Sequence, residues 1–195
     1  MIELQPFSLD NVRLHYKWNI DREIGFYDSE ANQKYESFES FLSRMKSSVN
    51  SSNETSKLFE IVESESGRVI GVIDLYGIDF FNKRCFVSCT IGEKKYRGRG
   101  YGKEALNQSL NYCFKELEMK KVGATSLDFN HTWQRVLMLV GFRREGILRN
   151  HICKEGVFRN KIIYSMLDSE FRAKTQKKAQ KSAKRFIAHH PQGHF

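Results

Sequence analysis

The sequence predicts a mixed α/β fold, with a mainly antiparallel central sheet flanked by helices. Three observations carry that reading. Short apolar or β-branched segments bounded by turn residues occur at Leu58–Glu63, Val69–Ile78 and Cys85–Ile91. After Gly102 the period becomes helical, since Leu106, Leu110, Cys113, Phe114 and Leu117 fall on one face. Beyond it strand and helix alternate, and the segments Phe142–Cys153 and Val157–Leu167 are joined by Lys154-Glu155-Gly156 as a final hairpin.

The remaining elements follow in order. Leu4 and Phe7 mark a first strand, and Ser8 is placed to cap a helix bearing Val12, Leu14, Tyr16 and Trp18. The polar stretch from Asn19 to Glu36 reads as irregular. Phe38, Phe41, Leu42 and Met45 recur at helical spacing, and a Ser/Asn-rich loop follows at Ser47–Ser56. Ser64-Glu65-Ser66-Gly67 and Asn82-Lys83-Arg84 are turn material between the central strands. Lys121–Phe129 is a strand, and Thr132–Val140 a helix stopped by Gly141. The predicted order is β α α β β β α β α β β.

A chain of 195 residues is long enough for one buried core, and 40% hydrophobic content excludes a largely disordered protein. No apolar run reaches the roughly 20 residues of a membrane helix. The start, Met1-Ile2-Glu3-Leu4-Gln5-Pro6, has no secretory pattern, so a cytoplasmic protein is expected. Cys85, Cys89, Cys113 and Cys153 form no CxxC pair and read as reduced core residues. Of 32 Lys and Arg, seven lie in residues 171–195, which hold no acid, leaving 25 against 23 acids elsewhere. A domain over residues 1–170 followed by a basic tail, 171–195, is the expected organisation. Such a tail suits electrostatic contact with RNA, ribosomes or an anionic membrane.

The chemistry is concentrated at Arg97-Gly98-Arg99-Gly100-Tyr101-Gly102, where strand gives way to helix. Glycines let backbone approach a ligand, and the first amides of a helix offer unpaired donors at the positive end of its dipole. Arg97, Arg99 and Lys103 add charge, so the loop suits a pyrophosphate. No Gly-Lys-Ser/Thr follows, which excludes a Walker loop, and the position is wrong for a dinucleotide fingerprint. Nothing in the pattern calls for a metal.

Arg97-x-x-Gly100-x-Gly102 resembles the pyrophosphate motif of the GNAT acyltransferases. Asn130, Arg135-Val136-Leu137 and Gly141-Phe142-Arg143-Arg144-Glu145-Gly146 are similar to the pattern of the ribosomal-protein acetyltransferase branch. Glu155-Gly156-Val157-Phe158-Arg159-Asn160 with Tyr164-Ser165-Met166-Leu167 resembles that branch's last hairpin and the end of spermidine acetyltransferases. The resemblance spans about residues 1–170. It implies the acyl-CoA N-acyltransferase fold, acetyl-CoA as co-substrate, and direct attack by a primary amine of a small molecule or peptide N-terminus in a ternary complex. By the same resemblance the backbone of Ile91, Gly92 and Glu93 bonds the pantetheine arm. Arg97, Gly98, Arg99, Gly100, Tyr101, Gly102 and Lys103 cradle the pyrophosphate. Asn130 contacts the cofactor or orients the amine, Arg135 joins the cofactor set, and a homodimer is allowed.

The chain departs from that pattern at Trp133, where Ser is usual, at Val87, where many members carry Glu, at Asn160, where Asp is common, and at Leu137, where Tyr often stands. The pattern's base is therefore missing. Asp74 is the substitute base, acting through water, with a backbone carbonyl or water near Cys89 as the alternative. Cys89 as an acylated nucleophile and His131 as a base are the weaker readings. The acceptor groove is expected between the first two helices and the last hairpin, shaped by Asn19–Glu36 and Ile147–Phe158. Asp21, Glu23, Asp28 and Glu30 suit a cationic amine, and Trp18, Phe26, Tyr27 and Trp133 a sugar-like one. The rival reading is a non-catalytic acetyl-CoA-binding module recruited to RNA or the ribosome by its tail.

Overall fold

The computed structural model describes residues 1–27, 36–50 and 55–189. Its strands are β1 (Ile2–Pro6), β2 (Ser56–Glu63), β3 (Arg68–Asp79), β4 (Arg84–Ile91), β5 (Lys121–Leu127), β6 (Arg143–Lys154) and β7 (Val157–Leu167). Its helices are α1 (Val12–Asn19), α2 (Arg22–Tyr27), α3 (Phe38–Asn50), α4 (Tyr101–Asn111), α5 (His131–Val140) and α6 (Asp168–His189). The strands form one sheet in the order β1-β2-β3-β4-β5-β7-β6. Every neighbouring pair is antiparallel except β4 and β5. The mixed, mainly antiparallel sheet flanked by helices is the fold that the strand and helix periods predict.

Alternation sorts the strands' side chains onto two layers. Ile73, Leu75, Val87, Val122, Ala124 and Met166 are buried with Leu106, Leu110 and Cys113 of the α4 region and Leu137 of α5. A smaller cluster on the other side joins Phe7, Val12, Phe41 and Met45, with Leu58 packed against it. Glu60 of β2 and His15 of α1 are buried there as a pair 2.8 Å apart. Glu60 also accepts from Asn11 Nδ2, so this acid is fastened to α1 and the turn before it.

Ser8 does cap the entry to α1, but through a short 3-10 turn, Leu9–Asn11, its Oγ accepting from the Asp10 N–H. The stretch expected to be irregular contains α2, whose six residues bury only Gly25 and so show no apolar stripe. Asp21 Oδ1 accepts from the Glu23 and Ile24 N–H groups and starts it. Of the cysteines read as core residues, Cys85 and Cys113 are buried and Cys89 is half-buried, but Cys153 is exposed on β6. Edge position explains this, because β6 pairs only with β7 and is exposed along most of its length.

The boundary drawn after Glu170 falls inside α6. Phe171 is buried with its ring 5.0 Å from that of Phe114, and Lys174 Nζ donates to the Val140 carbonyl. Asp168, in the first turn, accepts from Arg172 and Lys120. Among the described residues no helix is long and apolar enough to cross a membrane.

Phe171→Ala removes the ring that docks α6, and urea denaturation is expected to show a loss of about 3 kcal/mol. The Arg172 side chain first, then Lys120, holds the Asp168 carboxyl below its ordinary value of 3.8. A depressed folded value gives stability that is present above that pH and is lost as pH falls through the folded value. Asp168→Asn should therefore lower Tm at pH 7, and the difference from the parent should shrink as pH drops below 3.8.

Candidate active site

β4 and β5 lie side by side over only a short register, Arg84–Phe86 against Lys121–Gly123. A Cβ on Gly123 would stand 2.6 Å from the Phe86 ring, so a glycine lets the strands touch there. Beyond that point β4 follows β3 as far as Ile91 opposite Gly71, while β5 follows β7 as far as Leu127 opposite Lys161. The two strands part, and a V opens between them toward their C-terminal ends. Along its inner edge from Val87 to Ile91, β4 has no strand neighbour among the described residues, so backbone groups facing the V need another partner.

The far end of β4 is held by Trp18. Its buried ring lies where a Cβ on Gly92 would be, 2.1 Å away, and its Nε1 donates to Glu93 Oε1 at 3.2 Å. Trp18 is thus a structural residue of the loop, and Trp133 likewise turns inward, donating from Nε1 to the Thr125 carbonyl at 3.0 Å. Arg97 donates from Nε to Ile91 O at 2.9 Å and from Nη2 to Gly92 O at 3.1 Å, and its Nη1 meets Glu23 at 2.8 Å. Its guanidinium ties the turn after β4 to α2 instead of standing free beside the glycine loop.

Gly98 and Gly100 have φ values of 75° and 87°, a region that side chains rarely adopt. A Cβ at either would meet nothing within 4 Å, so backbone conformation and not crowding favours glycine. Gly100 precedes α4 without any side-chain cap, which leaves the first amides of the helix, at Tyr101, Gly102 and Lys103, without intrahelical partners. A Cβ on Gly102 would sit 3.8 Å from Cys89 Sγ and Ile91 Cγ1, against the side of the V. Arg99 and Lys103 are exposed beside this loop. Open space over Gly98 and Gly100, unpaired first amides of α4 and two exposed cations together fit a pyrophosphate.

α2 crosses the mouth of the V. At one end Glu23 pairs with Arg97 and Lys94, the hydrogen bond from Lys94 being the main cause that lowers the Glu23 carboxyl below its usual range. At the other end the Phe26 ring lies 4.8 Å from Phe129, just past β5, and Lys154 Nζ of β6 donates to the Gly25 carbonyl at 3.1 Å. Asp28 and Glu30, expected to face a cationic acceptor, lie outside the described residues.

Asn130 caps α5, its Oδ1 accepting from the Trp133 N–H at 3.1 Å. Arg135 is exposed on α5. Asp74 is half-buried on β3, opposite Ser88 of β4 and Leu58 of β2, on the face away from α4. It stands one strand from the V, level with the point where β4 leaves β5. His131 is exposed at the start of α5. Cys89 borders the V, and burial among apolar neighbours pushes its thiol up to about 12.

The family model for the acetyltransferase (GNAT) domain matches residues 2–143. The chain belongs to the GNAT acetyltransferase family. That family membership makes it an N-acetyltransferase with acetyl-CoA as co-substrate. YokL, an uncharacterized N-acetyltransferase of SPbeta prophage origin in Bacillus subtilis, is 33% identical over 113 residues, 58% of this chain and 63% of that one. The match therefore spans less than two thirds of YokL's own length. The uncharacterized N-acetyltransferase YnaD of the same organism is 23% identical over 168 residues, covering 86% of this chain and 94% of that protein. The crystal structure of spermidine N-acetyltransferase from Vibrio cholerae, in complex with CoA and spermine, shares the fold with a TM-score of 0.81. It is 20% identical and covers 87% of this chain and 97% of that one.

Sequence reasoning missed α2 as the bridge over the V, and with it the pairing of Arg97 with Glu23. It also missed Phe129, whose neighbours come from α2 and β7 and are distant in sequence. Gly102→Ala tests the cradle directly. The new methyl makes only ordinary contacts, so Tm should hold, while isothermal titration should find acetyl-CoA bound about tenfold more weakly or worse. Unchanged affinity would move the phosphates elsewhere.

Proposed function

We propose that the enzyme transfers the acetyl group directly to a primary amine, on a small molecule or at a peptide N-terminus, in a ternary complex. The observation that carries this reading is the V between β4 and β5, opening beside the uncapped, glycine-started α4. In it the backbone of Ile91, Gly92 and Glu93 receives the pantetheine arm like an added strand, and residues Gly98–Lys103 hold the pyrophosphate. Arg97 acts by fixing the Ile91 and Gly92 carbonyls. Asn130 and Arg135 stand on the β5 side of the same opening.

The amine nitrogen attacks the thioester carbonyl carbon, a backbone N–H of β4 supports the developing oxyanion, and the C–S bond breaks to release CoA as the thiol. The ammonium gives its first proton through water to Asp74 before it attacks, and the second proton that the nitrogen sheds as the C–N bond forms goes to the departing sulfur. Cys89 supports transfer without an acyl-enzyme, because a thiol with its value near 12 stays protonated at neutral pH. The basic residues beyond Glu170 support a further contact with RNA or the ribosome, separate from the transfer site. The relative solved with CoA and spermine makes polyamines one acceptor class to include.

CoA release from acetyl-CoA, measured against polyamines, aminoglycosides, amino sugars and short peptides, should find turnover with one class. Asp74→Asn should then lower kcat/KM about 100-fold and remove the acid limb of the pH profile. Equal kcat/KM at all pH values would discard Asp74. Cys89→Ala should leave kcat within about threefold, and a loss of 100-fold or more would replace direct attack by an acyl-enzyme route.

A further inference from the structure

On the acceptor side of the V two charged side chains each leave one buried atom without a hydrogen-bond partner among the described residues. Asp128, just past β5, is fastened to β7 twice. Its N–H donates to the Asn160 carbonyl at 3.0 Å, and its Oδ2 accepts from the Asn160 N–H at 3.1 Å. Its other oxygen, Oδ1, is buried and has no hydrogen-bond partner. Next to Asn160 on β7, the Arg159 guanidinium stands 5.1 Å from the centre of the Phe129 ring, and its Nε is also buried without a partner. The Phe26 and Tyr27 rings of α2 lie 4.8 Å and 5.8 Å from the same Phe129 ring. One aromatic corner at the mouth of the V thus holds an unmet acceptor on an acid and an unmet donor on a base.

Buried polar groups are nearly always hydrogen-bonded, and a charged one left alone is costly. Two of opposite sign in one corner are a pair of sockets for a ligand that brings a donor and an anion together. We propose that this corner is the acceptor subsite, and that it selects an amine carrying a carboxylate beside it. The carboxylate takes Arg159, the ammonium or a neighbouring N–H takes Asp128, and the aromatic rings cover the apolar part. A polyamine offers only N–H donors and leaves Arg159 unmet. A site built to bond a group discriminates against the analogue that lacks it, because its own buried partner is then orphaned. The inference rests on the acetyl-transfer reading above and narrows its acceptor.

The test uses the full chain with acetyl-CoA and three probes that differ at one group: L-phenylalanine, L-phenylalanine amide and phenethylamine. Phenylalanine should exceed phenethylamine in kcat/KM by about tenfold or more, with the amide between them. In Arg159→Gln that advantage should vanish through a raised KM for phenylalanine, read as the ratio of phenylalanine to phenethylamine kcat/KM, with acetyl-CoA affinity kept. Equal or better turnover of phenethylamine overturns the proposal. So does an Arg159→Gln variant that slows all three probes alike, which is the behaviour of a merely structural residue. Should no amine turn over although acetyl-CoA binds, the transfer reading falls and the subsite is judged by binding. A thermal shift with phenylalanine that is lost in Arg159→Gln then upholds it, and no shift overturns it.

Discussion

The short register between β4 and β5 is the constraint on which the rest of the site depends. Strands that paired along their full length would leave nothing between them for a ligand. Strands that never touched would break the sheet and the core beneath it. Pairing over Arg84–Phe86 and Lys121–Gly123 keeps the sheet whole while each strand follows its other neighbour outward. Phe86 and Gly123 make the apex, since the ring occupies the space a side chain at residue 123 would fill. A sheet edge inside a protein is a template for main-chain hydrogen bonding, and here the edge lies next to the positive end of a helix. In the proposed reading a cofactor with an amide-bearing arm and a pyrophosphate satisfies both features with one molecule.

The surroundings of the V keep it open in one shape. Trp18 fills the place of the missing Gly92 side chain, and Arg97 holds the carbonyls of Ile91 and Gly92. α2 spans the mouth, tied to the β4 side through Glu23 and to the β5 side through Phe26 and the Gly25 carbonyl. Bonds of Arg97 to carbonyl groups orient backbone, whereas Arg99 and Lys103 stand exposed beside the loop, where the proposed reading has them attract phosphate.

What was legible in the sequence is what local pattern controls. The glycine loop, the stripe of α4 and the hairpins can be read because φ above zero, helical period and turn residues are local demands. The face on which Asp74 lies follows from alternation once the strands are known. Much of the remainder depends on residues far apart in the chain. Arg97 reads locally as a phosphate ligand, and only the fold shows that it also meets Glu23, 74 residues earlier. Trp133 replaces a small residue of the family pattern, and only the fold shows its Nε1 meeting the Thr125 carbonyl. α2 is too short and too exposed to show a period, and the start of α6 is hidden because one buried ring, Phe171, docks a highly charged helix. Cys153 misleads because an edge strand carries apolar residues in the open.

The claim that the V receives the cofactor as an added strand is tested most directly by amide hydrogen exchange on the full chain, with and without saturating acetyl-CoA. The account predicts that exchange slows along Val87–Glu93 and at Tyr101, Gly102 and Lys103, while the β1–β2 pairing is unchanged. Slowing confined to other segments, or binding that leaves the β4 amides exchanging as before, would contradict it.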